Sequence, residues 1–144
     1  MKYSFTLTTD HFQFFLADEG YRMDTSTIWG NEALERQVAS GFDLLAVGTA
    51  RYGGETHVVI DILDAHFEMS AGFLGNGNTY TLHVYSGVLL LFSPESDIRA
   101  VSRINIVPGV YRVIVAFDNL DSVKDEEAFS GEDMYRLALQ RDNE

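Results

Sequence analysis

The stretch PGVYRVIVAFDNLDSVKDEEAFSGEDMYRLALQR, residues 108–141, decides the reading of the fold. It opens on a Pro-Gly pair suited to the central positions of a type II turn, where glycine takes positive φ. A period-two segment follows. Tyr111, Val113, Val115 and Phe117 fall on one face, and Val110, Arg112, Ile114 and Ala116 on the other. The pattern returns at the far end, with Tyr135, Leu137 and Leu139 opposite Met134, Arg136, Ala138 and Gln140. Such alternation predicts two half-buried strands. Between them lies DNLDSVKDEEAFSGED, with seven carboxylates (Asp118, Asp121, Asp125, Glu126, Glu127, Glu132, Asp133) against Lys124 alone. That is a local charge of −6, half of the chain's −12. Arg112 and Arg136, with Arg99 and Arg103, sit on outward strand faces and offer partial neutralisation. Exposed pairs of that kind contribute little net energy.

The same alternation extends upstream. Tyr3, Phe5 and Leu7 share a face, and HFQFFLA places Phe12 and Phe14 together with Phe15 opposite. FDLLAVGTA (42–50) is nearly all apolar, as expected of a strand covered on both faces. Gly53-Gly54 marks a hairpin from which THVVIDIL (56–63) returns. HFEM reads as a short strand and LGNGNTY as a Gly/Asn turn. TYTLHVY aligns Tyr80, Leu82 and Val84. GVLLLFS is another apolar strand, ended by Pro94, and IRAVSRINIV alternates again. DEGYRMDTSTIWGN is turn-rich. NEALERQVAS (31–40) is the one helix candidate. Asn31 caps it, Glu32 and Glu35 suit its positive end, Leu34 and Val38 stand at i and i+4, and Gly41 stops it. Trp29 anchors its entry. Eight to ten short strands and one short helix predict an all-β fold: an antiparallel β-sandwich or flattened barrel, as a single domain over residues 1–144.

Composition narrows the function. A chain of 144 residues, 46% apolar, buries about 68% of its unfolded surface and needs no staple. Without cysteine there is no disulfide framework, thiolate zinc site or cysteine nucleophile. Twenty-two acids against 10 Lys plus Arg repel nucleic acid and anionic membranes, and favour solubility and basic partners. The N-terminus lacks an apolar run of signal-peptide type, and no 18-residue apolar window exists. A cytoplasmic location is the expectation.

Catalytic motifs are missing. GNGN has neither the GxGxxG spacing nor a following GK[ST], no GxSxG elbow occurs, and DNLDSVKDEE lacks the spacing of an EF-hand. Asp64, His66 and Glu68 stand at i, i+2 and i+4, and His57 and Asp61 share a strand face. Both sets read better as solvated polar faces than as metal sites. Tyr85, Tyr111 and Tyr135 read as core or rim aromatics. The chain is expected to be no enzyme and to use no cofactor.

Three blocks carry a family resemblance. They are FTLTTDHFQFFLAD, the long segment IWGNEALERQVASGFDLLAVGTARYGGETHVVIDI, and INIVPGVYRVIVAFD through DMYRLAL. Their order of alternating strand, Trp, acidic short helix, paired strands, Pro/Gly turn, acidic loop and Tyr-bearing last strand resembles the competence protein J (ComJ) family. Members of that family inhibit a bacterial DNA-entry nuclease. Met69 to Ser93 departs from the family's pattern. The resemblance implies a β-sandwich that binds a protein partner.

Two functional readings follow. In the first, the chain is an acidic inhibitor or immunity-type protein whose loop occupies the cationic site of a nuclease or similar partner. Asp121, Asp125, Glu126, Glu127, Glu132 and Asp133 supply charge, Phe129 is the anchor, and Ser130 and Gly131 let the loop bend. In the second, a small-ligand or ion-binding sandwich coordinates a cation such as Ca²⁺ through the same acids. Free strand edges make a homodimer compatible with either.

Overall fold

The computed structural model describes residues 1–64, 78–96 and 101–142. Ten strands are described: β1 Lys2–Thr9, β2 Gln13–Asp18, β3 Val38–Ser40, β4 Leu44–Gly48, β5 Gly54–Leu63, β6 Asn78–Val84, β7 Val88–Phe92, β8 Ser102–Asn105, β9 Gly109–Asp118 and β10 Met134–Arg141. One α-helix, α1, spans Asn31–Arg36. The strands form two five-stranded sheets, in the orders β1-β5-β10-β9-β6 and β3-β4-β2-β7-β8. Every pair is antiparallel except β5 with β10, which run parallel. The architecture is an all-β sandwich, not a closed barrel. No helix among the described residues is long and apolar enough to cross a membrane.

Period-two patterning explains the main core. Val58 and Ile60 of β5, Tyr111, Val113 and Val115 of β9, and Tyr135, Leu137 and Leu139 of β10 point inward from one sheet. Phe14, Leu16, Leu45, Val47, Leu89 and Leu91 meet them from the other. Tyr3, Phe5 and Leu7 flank this core, on the face that their alternation predicts. A second apolar cluster lies on the other face of the second sheet. Phe15, Ala17, Leu44, Ala46, Leu90 and Phe92 pack there with Ala33 of α1, against Tyr21, Met23, Ile28 and Trp29. Residues 44–47 are apolar throughout because β4 feeds both clusters.

Three local readings differ from the structure. Gly53-Gly54 does not close a hairpin: β4 and β5 belong to different sheets, so the glycines carry the chain across the sandwich. The expected ten-residue helix stops at Arg36. Gln37 takes the left-handed conformation (φ 60°), its N–H bonds to Leu34 O, and Val38–Ser40 become β3 beside β4. Six residues cannot sustain a helix alone, and the apolar pair Val38-Ala39 gains more by burying in the sheet. Gly30, not Asn31, holds the N-cap position, and Leu34 is left 61% exposed. Phe12 precedes β2 instead of sharing its inward face. It sits with His11 in a tight turn, both at positive φ (59° and 54°). The HFEM strand, most of the LGNGNTY turn, His66, Glu68 and Arg99 lie outside the described residues.

Candidate functional site

The acidic segment connects β9 to β10, which are antiparallel neighbours in register from Met134↔Asp118 to Arg141↔Tyr111. Such a pair needs only a short turn, so most of residues 119–133 are free to build a surface. A 3₁₀ turn at Leu120–Ser122 starts the excursion, after Asn119 at φ 61°. Asp121, Asp125, Glu126, Glu127 and Glu132 are all exposed, and Phe129 is 65% exposed. The nominated surface residues therefore share one loop.

Asp133 is the exception. It is fully buried, and its Oδ1 accepts a 2.8 Å bond from Nε of Arg51, itself 1% exposed. Its Oδ2 accepts from the hydroxyl of Tyr135 at 2.8 Å. Its place among the exposed partner-binding acids is corrected accordingly: the charge points inward and holds the loop's exit. The cause is local. Asp133 directly precedes β10, and two residues on Tyr135 enters the core on the same face, so the alternation that buries the ring also buries the carboxylate.

Arg51 organises the rest. Its Nη1 donates to Gly53 O (3.0 Å), Ala128 O (3.3 Å) and Phe129 O (3.2 Å), and its Nη2 to Glu55 O at 2.7 Å. A guanidinium has five N–H donors in a fixed fork. Here they tie the β4–β5 crossover to the acidic loop. Backbone bonds reinforce the tie, from Tyr52 N to Glu126 O and from Glu55 N to Phe129 O, each 2.7 Å. Gly54 has φ 92°, and a Cβ there would collide with the Phe129 carbonyl oxygen. A Cβ on Gly131 would stand 2.7 Å from Asp133 Oδ1. The two glycines are needed because loop and crossover approach at backbone distance. Gly131, expected to let the loop bend, leaves room for the loop to close over the ion pair.

The electrostatics follow from this division. Asp118 pairs with Arg136 across the β9–β10 register, and Asp133 pairs with Arg51. Five exposed carboxylates and Lys124 remain, a net charge of −4 on the loop face. Arg112 donates to Gln140 at 2.8 Å. Burial raises the Tyr135 phenol well above its ordinary pKa, so it stays protonated and donates to Asp133.

The acids do not converge as a cation cage. Among the described residues, the one trio of candidate ligands whose atoms gather within 4.8 Å is Asp10, His11 and Glu95, and no trio from the loop does so. His11 Nδ1 is engaged by Asp10 Oδ1 at 2.7 Å, and this bond raises the imidazole pKa. His57 and Asp61 lie on β5 and form no such group, and His83 stacks on Phe42 with centroids 3.9 Å apart. Tyr111 and Tyr135 are core residues, whereas Tyr85 is half exposed and donates to Gly20 O at 2.8 Å.

Two solved structures share this architecture. ComJ from Bacillus subtilis, described as the inhibitor of the DNA-degrading activity of NucA, superposes with a TM-score of 0.68 over 98% of this chain and 95% of its own. This chain has a ComJ-like fold. Identity to ComJ is 13%, so the likeness is one of fold. A protein described as crocagin biosynthetic gene J superposes with a TM-score of 0.56 at 13% identity, over 99% of this chain and 98% of its own. No protein-family model matches the sequence, and neither does any curated protein. The resemblance to ComJ read from the three sequence blocks thus holds at the level of fold over nearly the whole chain.

Sequence reasoning missed Arg51. It follows an apolar strand and precedes a turn, where an arginine ordinarily reads as a solvated strand end. The available signal was the flanking pair Gly53-Gly54 with Asp133, 82 residues away. Nothing local couples them.

Proposed function

We propose that this chain is a non-enzymatic binding protein that docks a cationic protein partner, of the nuclease class, against the loop face built by Asp121, Asp125, Glu126, Glu127, Phe129 and Glu132. The observation that carries this reading is the Arg51–Asp133 clamp. A buried ion pair and its carbonyl bonds hold a strongly acidic loop against the sheet, so its exposed carboxylates are presented in a preorganised array. Preorganised charge lowers the ordering cost of association and speeds encounter with a cation-rich surface. Nuclease sites that bind phosphate backbones are cationic. The ComJ-like fold supports the same class of partner, since ComJ inhibits the DNA-degrading activity of NucA. The Ca²⁺ reading gains no support from the loop, since no three of its carboxylates gather within 4.8 Å of one another.

The test is capture from a lysate of the source cells, with stepped salt elution. The eluted protein is then assayed for DNA degradation with and without this chain. A basic protein released at moderate salt, whose DNA degradation this chain suppresses, is the expected result. Charge reversal by Glu126→Lys with Glu127→Lys should abolish both capture and suppression. Capture and suppression unchanged by the double reversal would overturn the site.

A further inference from the structure

The acidic loop is not alone on its side of the molecule. Among the described residues, eight large apolar side chains are exposed: Met1, Phe12, Leu34, Phe42, Tyr52, Tyr85, Val107 and Phe129. Phe129 belongs to the loop, Tyr52 adjoins it, and Phe12 and Leu34 follow in turn. Tyr52 N bonds to Glu126 O, and Tyr52 O accepts from Phe12 N at 2.8 Å. The Phe12 and Tyr52 rings meet edge to face with centroids 5.4 Å apart. Phe129 stands on the loop itself. Leu34 and Phe12 line a pocket of about 370 Å³ with His11, Gln13, Trp29 and Gln37. The loop backbone at Glu126 therefore adjoins an aromatic pair, and Phe12 of that pair opens onto the pocket.

The turn that presents Phe12 is unusual. Asp10 and Gln13 bridge, Gln13 N bonds to Asp10 O at 3.2 Å, and the two central residues both have positive φ. That is the geometry of a type I′ turn, which selects Asn-Gly because most side chains are strained in it. Here the central pair is His-Phe. Positive φ in a bulky residue is an outlier, and such strain clusters at active sites, ligand clamps and switch regions. Phe12 remains 38% exposed, so core burial does not account for it.

We infer that the Phe12–Tyr52 patch and the Trp29–Leu34 pocket form the apolar half of the partner interface, and that they receive a protruding apolar side chain ringed by lysine and arginine. The occupant follows from charge complementarity. The pocket lining is mainly apolar, while two exposed acids adjoin it, Glu126 through its backbone bond to Tyr52 and Glu95 beside the pocket residue His11. An apolar knob within a cationic collar satisfies both at once. Central apolar anchors inside a charged rim are the common anatomy of tight interfaces. This inference rests on the proposed acidic docking face and adds the feature that would give it specificity beyond charge.

Trp29 is the single tryptophan of the chain and lines the pocket, with its Nε1 donating to Gln13 Oε1 at 2.8 Å. Its fluorescence therefore reports occupancy directly. The probes are two short lysine- and arginine-rich peptides, one with a central phenylalanine and one with alanine there. Both should bind in a salt-dependent way by calorimetry, the phenylalanine peptide about tenfold or more tightly. Only that peptide should shift Trp29 emission. His11→Asn with Phe12→Gly suits the type I′ turn, and it should remove the emission shift and equalise the two affinities in protein shown to be folded by a calorimetric scan. Equal, salt-dependent affinities with silent Trp29 emission in the unsubstituted protein would overturn the inference and leave the acidic face standing. No binding of either peptide, with no effect of the Glu126/Glu127 reversal, would overturn both.

Discussion

At the scale of single residues, Arg51 controls the site without being exposed on it. A buried ion pair is weak evidence of net stability, but breaking one side of it is costly. Arg51→Ala leaves Asp133 charged and unpaired in the interior and frees the carbonyls of Ala128 and Phe129. The expected loss is roughly 3–5 kcal/mol in chemical denaturation. Amide hydrogen exchange should rise first at Tyr52 and Glu55, whose N–H groups bond to the loop. Tyr135 shows the same economy of contacts. Its hydroxyl donates to Asp133 and accepts from Ala50 N–H, each at 2.8 Å. Tyr135→Phe should cost about 1–3 kcal/mol, because it removes the hydroxyl partner of the buried Asp133 Oδ2 and of the half-buried Ala50 N–H. The pH dependence has a definite sign. Burial raises this phenol's pKa, so the folded chain holds the proton more tightly than the unfolded one. Its share of stability is complete below about pH 10, the unfolded phenol's value, and is lost as pH rises above it. Denaturation midpoints followed into alkali should fall less steeply in Tyr135→Phe than in the unsubstituted protein.

At the scale of elements, two short segments depart from what their residues suggest, for different reasons. NEALERQVAS has helical spacing, but only six of its residues are helical. Gln37 turns the chain, and Val38-Ala39 join a sheet edge where both are buried. Burial of two apolar side chains outweighs one further helical turn in a segment too short to nucleate itself. The His11-Phe12 turn departs in the other direction and keeps a conformation that its residues disfavour. Strain at such positions runs to about 1–3 kcal/mol per residue, against roughly 0.5–1.5 kcal/mol from the edge-to-face ring pair. His11→Asn with Phe12→Gly should therefore stabilise the fold, with a melting temperature higher by about 2–4 °C per kcal/mol gained. A calorimetric scan in which this variant melts lower would mean that the Phe12–Tyr52 contact is structural.

At the scale of the whole molecule, charge is divided between an internal and an external role. Two of the seven acids in residues 118–133 are matched by arginines, and five remain exposed at one end of the sandwich. Association with a cationic partner should slow as salt rises, with the association rate more affected than dissociation, as for rim charges generally. Stopped-flow rates across a salt series should show this slope reduced in the Glu126→Lys, Glu127→Lys variant. The layered all-β architecture was legible in the sequence because alternation reports directly which face of each strand is buried. Tyr111 through Phe117 and Tyr135 through Leu139 stand as that period requires. The acidic loop was legible too, as was most of its exposed face. Strand partners were not. Gly53-Gly54 carries the same local signature in a hairpin and in a crossover, and β5 lies beside β10, far along the chain, in parallel register. The inward turn of Asp133 and the role of Arg51 depend on that pairing, since it brings residues 51 and 133 together across 82 positions. Sequence by itself determined most of the described strands, their buried faces and the location of the charge, because those depend on local period and composition. Tertiary structure alone decided which acid is structural, which arginine holds the loop and which aromatics stand beside it, because long-range backbone pairing selects contacts that no local pattern encodes.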